Sequence, residues 1–211
     1  MALMDQLVAK AKTNKQRIVL AEGTEPRTIQ AADRILGDDV ADIVLIGAKS
    51  EIDALVAEYG LKNIDKATIV EPLNNPKAQQ YADLLFKLRE KKGMTPEKAA
   101  ELVKDPLYLG TLIIKSGEAD GQVAGARNTT GDVLRPALQI IKTAPGISCV
   151  SGAFIMIMEN EAAKAYGKDG IMVFADCAVT PNPDAKQLGQ IAVCAADTAH
   201  DIAGIETPVV G

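Results

Sequence analysis

Two hydrophobic periods alternate along the chain. Short, nearly continuous apolar runs stand at residues 17–22 (RIVLAE), 41–47 (ADIVLIG) and 67–72 (ATIVEP). Each gives way to a stretch whose apolar residues recur every three or four positions, which predicts strand–helix units. After the first run, Thr24 is placed to cap a helix with Pro26 in its first turn. Ile29, Ala32, Ile35 and Leu36 then share one face of it. The second run leads to a helix ending near Tyr59. Asn75 and Pro76 open a long helix, and Thr95-Pro96 and Asp105-Pro106 open two more, the last ending near Gly117. Residues 120–125 (DGQVAG) predict a fourth strand, followed by a helix to about Lys142.

The texture changes after the turn at 143–146 (TAPG). Residues 147–158 (ISCVSGAFIMIM) predict a longer strand, too apolar to leave one face in water, and 170–179 (GIMVFADCAV) another. The connection at 159–169 (ENEAAKAYGKD) reads as solvated and hairpin-like. Residues 184–203 form a helix with Leu188, Ile191, Ala195, Ala199 and Ile202 on one side, and 207–211 (TPVVG) open an apolar strand. Apolar strands separated by helices predict a mostly parallel sheet covered on both faces, a three-layer α/β/α fold. The expected organisation is a first α/β domain over 1–144 and the beginning of a second over 145–211. The second has few elements for a closed layer and stops inside an apolar run, so an incomplete second domain is expected. No internal repeat or low-complexity segment is visible.

Composition narrows the partners. The chain has 211 residues, 47 % of them apolar, and a net charge of −5. An acidic protein lacks the basic face that a nucleic acid needs, though a local cluster still suffices for a small phosphorylated ligand. No apolar run reaches the roughly 20 residues of a membrane span, and the N-terminus reads as an amphipathic helix rather than a signal peptide. Cys149, Cys177 and Cys194 are too few and too widely spaced for a disulfide framework or a zinc pattern, which points to a reducing cytoplasm. His200 is the only histidine, so a Ser-His-Asp triad and a multi-histidine metal site are not expected.

Residues 121–136 (GQVAGARNTTGDVLRP) carry the chemistry. In an open α/β sheet, ligands sit at the carboxyl ends of the strands. Pro136 cannot lie deep in a helix, so the helix is expected to begin near Thr130 to Val133. Asn128, Thr129, Thr130 and Gly131 then fall at its N-terminus, where unpaired N–H groups receive anions. Arg135 would lie in the first turn, against the helix dipole by roughly 0.3–1 kcal/mol. A bound phosphate reverses that sign; a solvated, capped loop is the other reading. G-x-G-x-x-G and a Walker lysine are absent. Cys177, at the end of an apolar strand, reads as a small buried hydrophobe or as part of a cleft wall. Arg89, among Lys87, Lys91 and Lys92, reads as a solvated helix end or as a second cationic contact.

The stretches 87–95 (KLREKKGMT), 105–126 (DPLYLGTLIIKSGEADGQVAGA), 128–152 (NTTGDVLRPALQIIKTAPGISCVSG) and 170–193 (GIMVFADCAVTPNPDAKQLGQIAV) together resemble phosphate acetyltransferase (phosphotransacetylase). Residues 17–27 (RIVLAEGTEPR) fit the family's usual opening. The related phosphate butyryltransferases match 174–183 and 134–146 less closely. The resemblance implies an isocitrate/isopropylmalate dehydrogenase-like pair of α/β domains with a cleft between them, and a cytoplasmic homodimer formed mainly through the second domain. It implies transfer of an acetyl group between acetyl phosphate and coenzyme A, with coenzyme A as substrate and no metal or other cofactor. It places substrate-binding roles on Arg89, Arg135, Thr129, Thr130 and Cys177. Asn128 stands where the family often has a histidine, with Arg127 before it, so no role is carried to those two. The family's catalytic Ser, Arg and Asp are expected beyond Gly211, which would leave this chain inactive alone. The competing expectation is a non-catalytic module that keeps a phosphate or coenzyme A seat, or that dimerises.

Overall fold

The structure is a computed structural model and describes residues 2–211. It divides into two compact units, Met4–Lys142 and Thr143–Gly211, Leu3 being grouped with the latter.

The first unit begins with α1 (Leu3–Thr13) and then alternates strand and helix: β1 (Arg17–Leu20), α2 (Pro26–Gly37), β2 (Asp42–Ile46), α3 (Lys49–Tyr59), β3 (Thr68–Val70). Three helices follow, α4 (Ala78–Arg89), α5 (Pro96–Leu102) and α6 (Pro106–Lys115), before β4 (Gly121–Val123) and α7 (Thr130–Pro136). The strands form one parallel sheet in the order β3-β2-β1-β4, with Leu20 opposite Leu45 and Val123. Successive side chains on a strand point to opposite faces, and the sequence exploits this on the central pair. Leu20, Ile43 and Leu45 pack with Ile29, Leu36 and Ile52 of α2 and α3. Val19 and Ile46 pack with Tyr81, Leu85, Leu109 and Leu112 of α4 and α6. Two apolar layers on one sheet make the three-layer α/β/α architecture. Each fully buried aliphatic side chain stabilises it by about 1.5–3 kcal/mol.

Prolines and caps set the helix starts. Pro26, Pro96 and Pro106 stand in first turns, and Thr95 and Asp105 accept hydrogen bonds from the exposed N–H groups of α5 and α6. The cap of α2 differs from the expectation: it is Glu25, whose carboxylate accepts from the Thr28 N–H, and not Thr24. Glu25 is 6 % exposed and Arg27 holds its other oxygen at 2.7 Å, so packing fixes a residue seldom found at a cap.

The second unit contains β5 (Ala153–Ile157), β6 (Ile171–Ala175) and α8 (Ala185–Asp201). β5 and β6 pair antiparallel, Phe154 opposite Phe174, so four of the six strands are parallel and these two are a hairpin-like ribbon. The expectation that 147–158 would be covered on both faces fails. Phe154, Met156, Ile157 and Phe174 are each about half exposed. α8 packs mainly on β6, with Ile191 and Ala199 buried and an Asp184–Gln187 capping box at its start.

Candidate functional site

The carboxyl ends of β1 and β4 meet around one carboxylate. Glu22, just past β1, is 7 % exposed. It accepts from the backbone N–H groups of Gly125 (2.8 Å), Ala126 (2.7 Å), Arg127 (2.8 Å) and Asn128 (2.9 Å), and from the Asn128 side chain (2.8 Å). Burial pushes the carboxyl up, but the N–H bonds of Arg127, Ala126 and Asn128 outweigh it and hold the group down at about 2. The loop after β4 is therefore an anion nest whose anion is the protein's own side chain. This corrects the expectation for Asn128, whose N–H groups are committed to Glu22 rather than open to a ligand. Arg127 is committed too: its guanidinium donates to the Thr24 carbonyl at 2.7 Å and to the Thr24 hydroxyl at 3.2 Å.

α7 starts where expected, at Thr130, but its use of the following residues differs. Thr129 caps it by accepting from the Asp132 N–H at 3.3 Å, and its hydroxyl donates to the Asp132 carboxylate at 2.7 Å. Thr130 is exposed at the first helical position. Arg135 lies in the last turn, not the first, because α7 is only seven residues long. It does not oppose the dipole at the helix start. Its pair with Asp132 is long, 3.5 Å, and largely exposed, a contact of little strength.

The other predicted arginine arrives by a different route. Lys77 and Tyr81, around the start of α4, bond Glu118 at the amino edge of the sheet. Arg89 is the last of the 12 residues of α4, a helix of about 1.5 Å per residue, and so stands at its far end. There its Nε is buried and, among the described residues, has no hydrogen-bond partner. Tyr108, near the start of α6, lies within the electrostatic reach of both Arg89 and Arg135. Burial raises the Tyr108 hydroxyl, and the charges of Arg135 and Arg89 both pull it back. Its hydroxyl donates to the Gln139 side-chain oxygen at 3.0 Å. Two guanidiniums whose charge reaches one hydroxyl, one of them with an unused buried donor, have the chemistry that an oxyanion would need and make a candidate seat. Tyr108 and Gln139 gave no sequence signal beyond their place in helical patterns. Glu22 had one: an acid directly abutting an apolar strand.

The second unit holds Cys177, half-buried, with its thiol donating to the Phe174 carbonyl at 3.0 Å. Beside it Asp176 accepts from the N–H groups of Gly152 (2.9 Å), Ala178 (3.0 Å), Val179 (3.2 Å) and Thr180. Burial raises its carboxyl, but these four bonds hold it well below the usual range. A groove of about 1170 Å³ along β6 and α8 is lined mostly by aliphatic groups, Ile191, Ile205 and Val210 among them, and offers no convergent cations. A smaller pocket of about 340 Å³ at the amino edge of the first unit contains Arg17, which is bound to Asp120, and Glu118, which is bound to Lys77. Neither matches the chemistry of the Arg89–Arg135 seat. Among the described residues no group of His, Cys, Asp or Glu is placed to hold a metal ion, and no helix is long and apolar enough to cross a membrane.

A family model described as "Phosphate acetyl/butaryl transferase" matches residues 2–210. The chain is 47 % identical over 99 % of its length to a phosphate acetyltransferase of Thermoanaerobacterium thermosaccharolyticum, and 46 % identical over 99 % to one of Clostridium acetobutylicum. It covers 62 % of each of those proteins. A solved phosphotransacetylase from Streptococcus pyogenes superposes with a TM-score of 0.85 at 35 % identity, over 94 % of this chain and 59 % of that one.

Proposed function

The chain belongs to the phosphate acetyl/butaryl transferase family, and from that premise we propose that it supplies the phosphate seat of an enzyme that moves an acetyl group between acetyl phosphate and coenzyme A. The observation that carries this is the buried Arg89 Nε that has no hydrogen-bond partner among the described residues, with the charges of Arg89 and Arg135 both felt by the Tyr108 hydroxyl. In the reaction, the thiol of coenzyme A loses its proton to a base and its sulfur attacks the acetyl carbonyl. The new C–S bond forms as the C–O bond to phosphate breaks, and phosphate leaves with the electron pair. Two arginines suit that leaving group, because fork-shaped donors match phosphate oxygens and gain strength as charge accumulates there. Acetyl is favoured over butyryl because the relatives matched at 46–47 % identity are named for acetyl transfer.

Neither nested carboxylate serves as the base. A general base works best with a pKa near the working pH, and Glu22 and Asp176 are both held ionised by four backbone N–H groups each. We place the base, with the groups that stabilise the carbonyl oxygen, in the length that the relatives have and this chain does not span. Thr129 and Thr130 border the phosphate seat in this reading, and a substrate-binding role for Cys177 in the second unit follows from the family resemblance. The two units are taken as the two domains. A cytoplasmic homodimer joined through the second unit accords with the half-exposed Phe154, Met156 and Phe174 and the three free cysteines.

Calorimetric titration with inorganic phosphate tests the seat. Arg135→Ala is expected to weaken binding by about 1.5–3 kcal/mol, the worth of a charge-assisted contact, and Arg89→Ala by a similar amount. Unchanged affinity in both sinks the reading. Thiol release with acetyl phosphate and coenzyme A, measured for this chain with and without the remaining segment of a relative, tests where the base lies. Turnover by the 211-residue chain alone contradicts that placement.

A further inference from the structure

Pro136 sits at the last position of α7, directly after Arg135. It has no N–H to bond back one turn, and its ring crowds the carbonyl four residues earlier. The ladder changes spacing there. The Ala137 N–H bonds the Leu134 carbonyl, three residues back, whereas the Lys142 N–H bonds the Ala137 carbonyl, five back. Ala137–Ile141 is accordingly a π-helical turn. Such turns insert about one residue of register into a helix and recur at functional sites. Here the wide turn buries Ile140 at 1 % exposure, leaves Leu138 and Ile141 in water, and sets Gln139 against the Tyr108 hydroxyl.

We infer that Pro136 is a positioning residue: through the π turn it sets Gln139 against Tyr108 and thereby fixes how Arg135, just before it, is presented to the proposed phosphate seat. The inference rests on the phosphate reading above. A regular α-helical continuation would rotate Gln139 off Tyr108, releasing the link between α7 and α6 that holds Arg135 in place.

Replacing Pro136 separates this from a structural role, because the two predict different effects on phosphate binding. Alanine is the better helix former by roughly 3 kcal/mol in a helix interior, but the Pro136 ring is fully buried and its loss leaves a cavity, so stability alone does not decide; a proline that merely interrupts the helix gives a folded Pro136→Ala variant with unaltered binding. A positioning proline gives a folded variant with weaker binding. The full 211-residue chain is titrated with inorganic phosphate by calorimetry, its thermal midpoint is measured, and proximity of the Gln139 side-chain amide to the Tyr108 ring is read by NMR. The expected result for Pro136→Ala is a roughly five- to tenfold loss of phosphate affinity and loss of that proximity, at a temperature where the midpoint shows the variant folded. Wild-type binding that the variant retains overturns the inference and leaves the phosphate seat standing. A proximity signal that survives the substitution also overturns it. Failure of the wild type itself to bind phosphate overturns the seat, and the inference with it. Tyr108→Phe, which removes only the hydroxyl, covers the case in which Pro136→Ala fails to fold. It is expected to lose about threefold in affinity with its midpoint held, and unchanged affinity counts against the inference.

Discussion

Glu22 in the first unit and Asp176 in the second each follow an alanine at the end of an apolar strand, and each collects four backbone N–H bonds from a loop. Their donors differ in origin. Those of Glu22 lie 103 to 106 residues further on, in the loop between β4 and α7. Three of the four for Asp176 come from the two to four residues that follow it, and only Gly152 is distant. Their surroundings differ as well: a sheet with a buried layer on each face, against a ribbon whose strands are half exposed. The same chemistry is therefore a long-range tie in one region and a local turn in the other. A long-range tie exists only in the folded state, so its loss is felt by the whole unit. A local turn organises its own residues and contributes less to global stability.

The largest effect should come from Glu22→Gln. The amide turns an NH₂ group toward a row of donors and removes the charge they solvate. A loss of about 2–3 kcal/mol of unfolding free energy is expected, because the substitution strands buried N–H donors contributed by a distant loop, read by urea or thermal denaturation. A loss under ~1 kcal/mol would remove the distinction between tie and turn. The same group shapes the acid limb. Its ordinary value is 4.5 and its folded value about 2. The unfolded chain takes up the proton first as pH falls, so the stabilisation is whole above about 4.5 and is lost on the way down to about 2. Stability of Glu22→Gln against pH should be flatter across that window than that of the wild type.

Asp176→Asn should cost less, about 1 kcal/mol or below in global stability. Its signature is local: amide exchange at Gly152 and residues 178–180 should accelerate, with protection in the first unit unchanged. Equal slowing or acceleration in both units would show that the second carboxylate is also a long-range tie.

These carboxylates also mark where local sequence stops being informative. The alternation of Ile18, Val19 and Leu20 gave a two-faced strand, and Pro26, Pro96 and Pro106 gave helix starts, because both signals act within a few residues. Strand direction does not: the apolar runs at 17–22 and 153–157 look alike, yet one enters a parallel sheet and the other an antiparallel ribbon. Glu22 stood in plain view as a polar strand end, but its donors lie more than a hundred residues away. Glu25 displaced Thr24 as a cap through burial and Arg27, which composition alone cannot rank. Pro136 announced a break in the helix without saying that a π turn would follow. The pairing of Arg89 with Arg135 came from family resemblance, and only the packing of α4, α6 and the π turn around Tyr108 supplies its physical reason.

The smallest effect tests the arginines on either side of the Glu22 nest. Arg127 belongs to the framework: its guanidinium ties the β4 loop to the Thr24 carbonyl and hydroxyl, in an exposed position. Arg135 is the residue proposed for the phosphate seat. Arg127→Ala should therefore lower stability by about 0.5–1.5 kcal/mol and leave phosphate affinity within a factor of two, whereas Arg135→Ala should do the reverse, because an exposed 3.5 Å pair with Asp132 contributes almost nothing to folding. Denaturation and phosphate titration on the two variants side by side read both quantities. If Arg127→Ala loses affinity as strongly as Arg135→Ala, the nest and the seat are one site, and the Glu22 carboxylate would then be setting the geometry of the ligand as well as that of the loop.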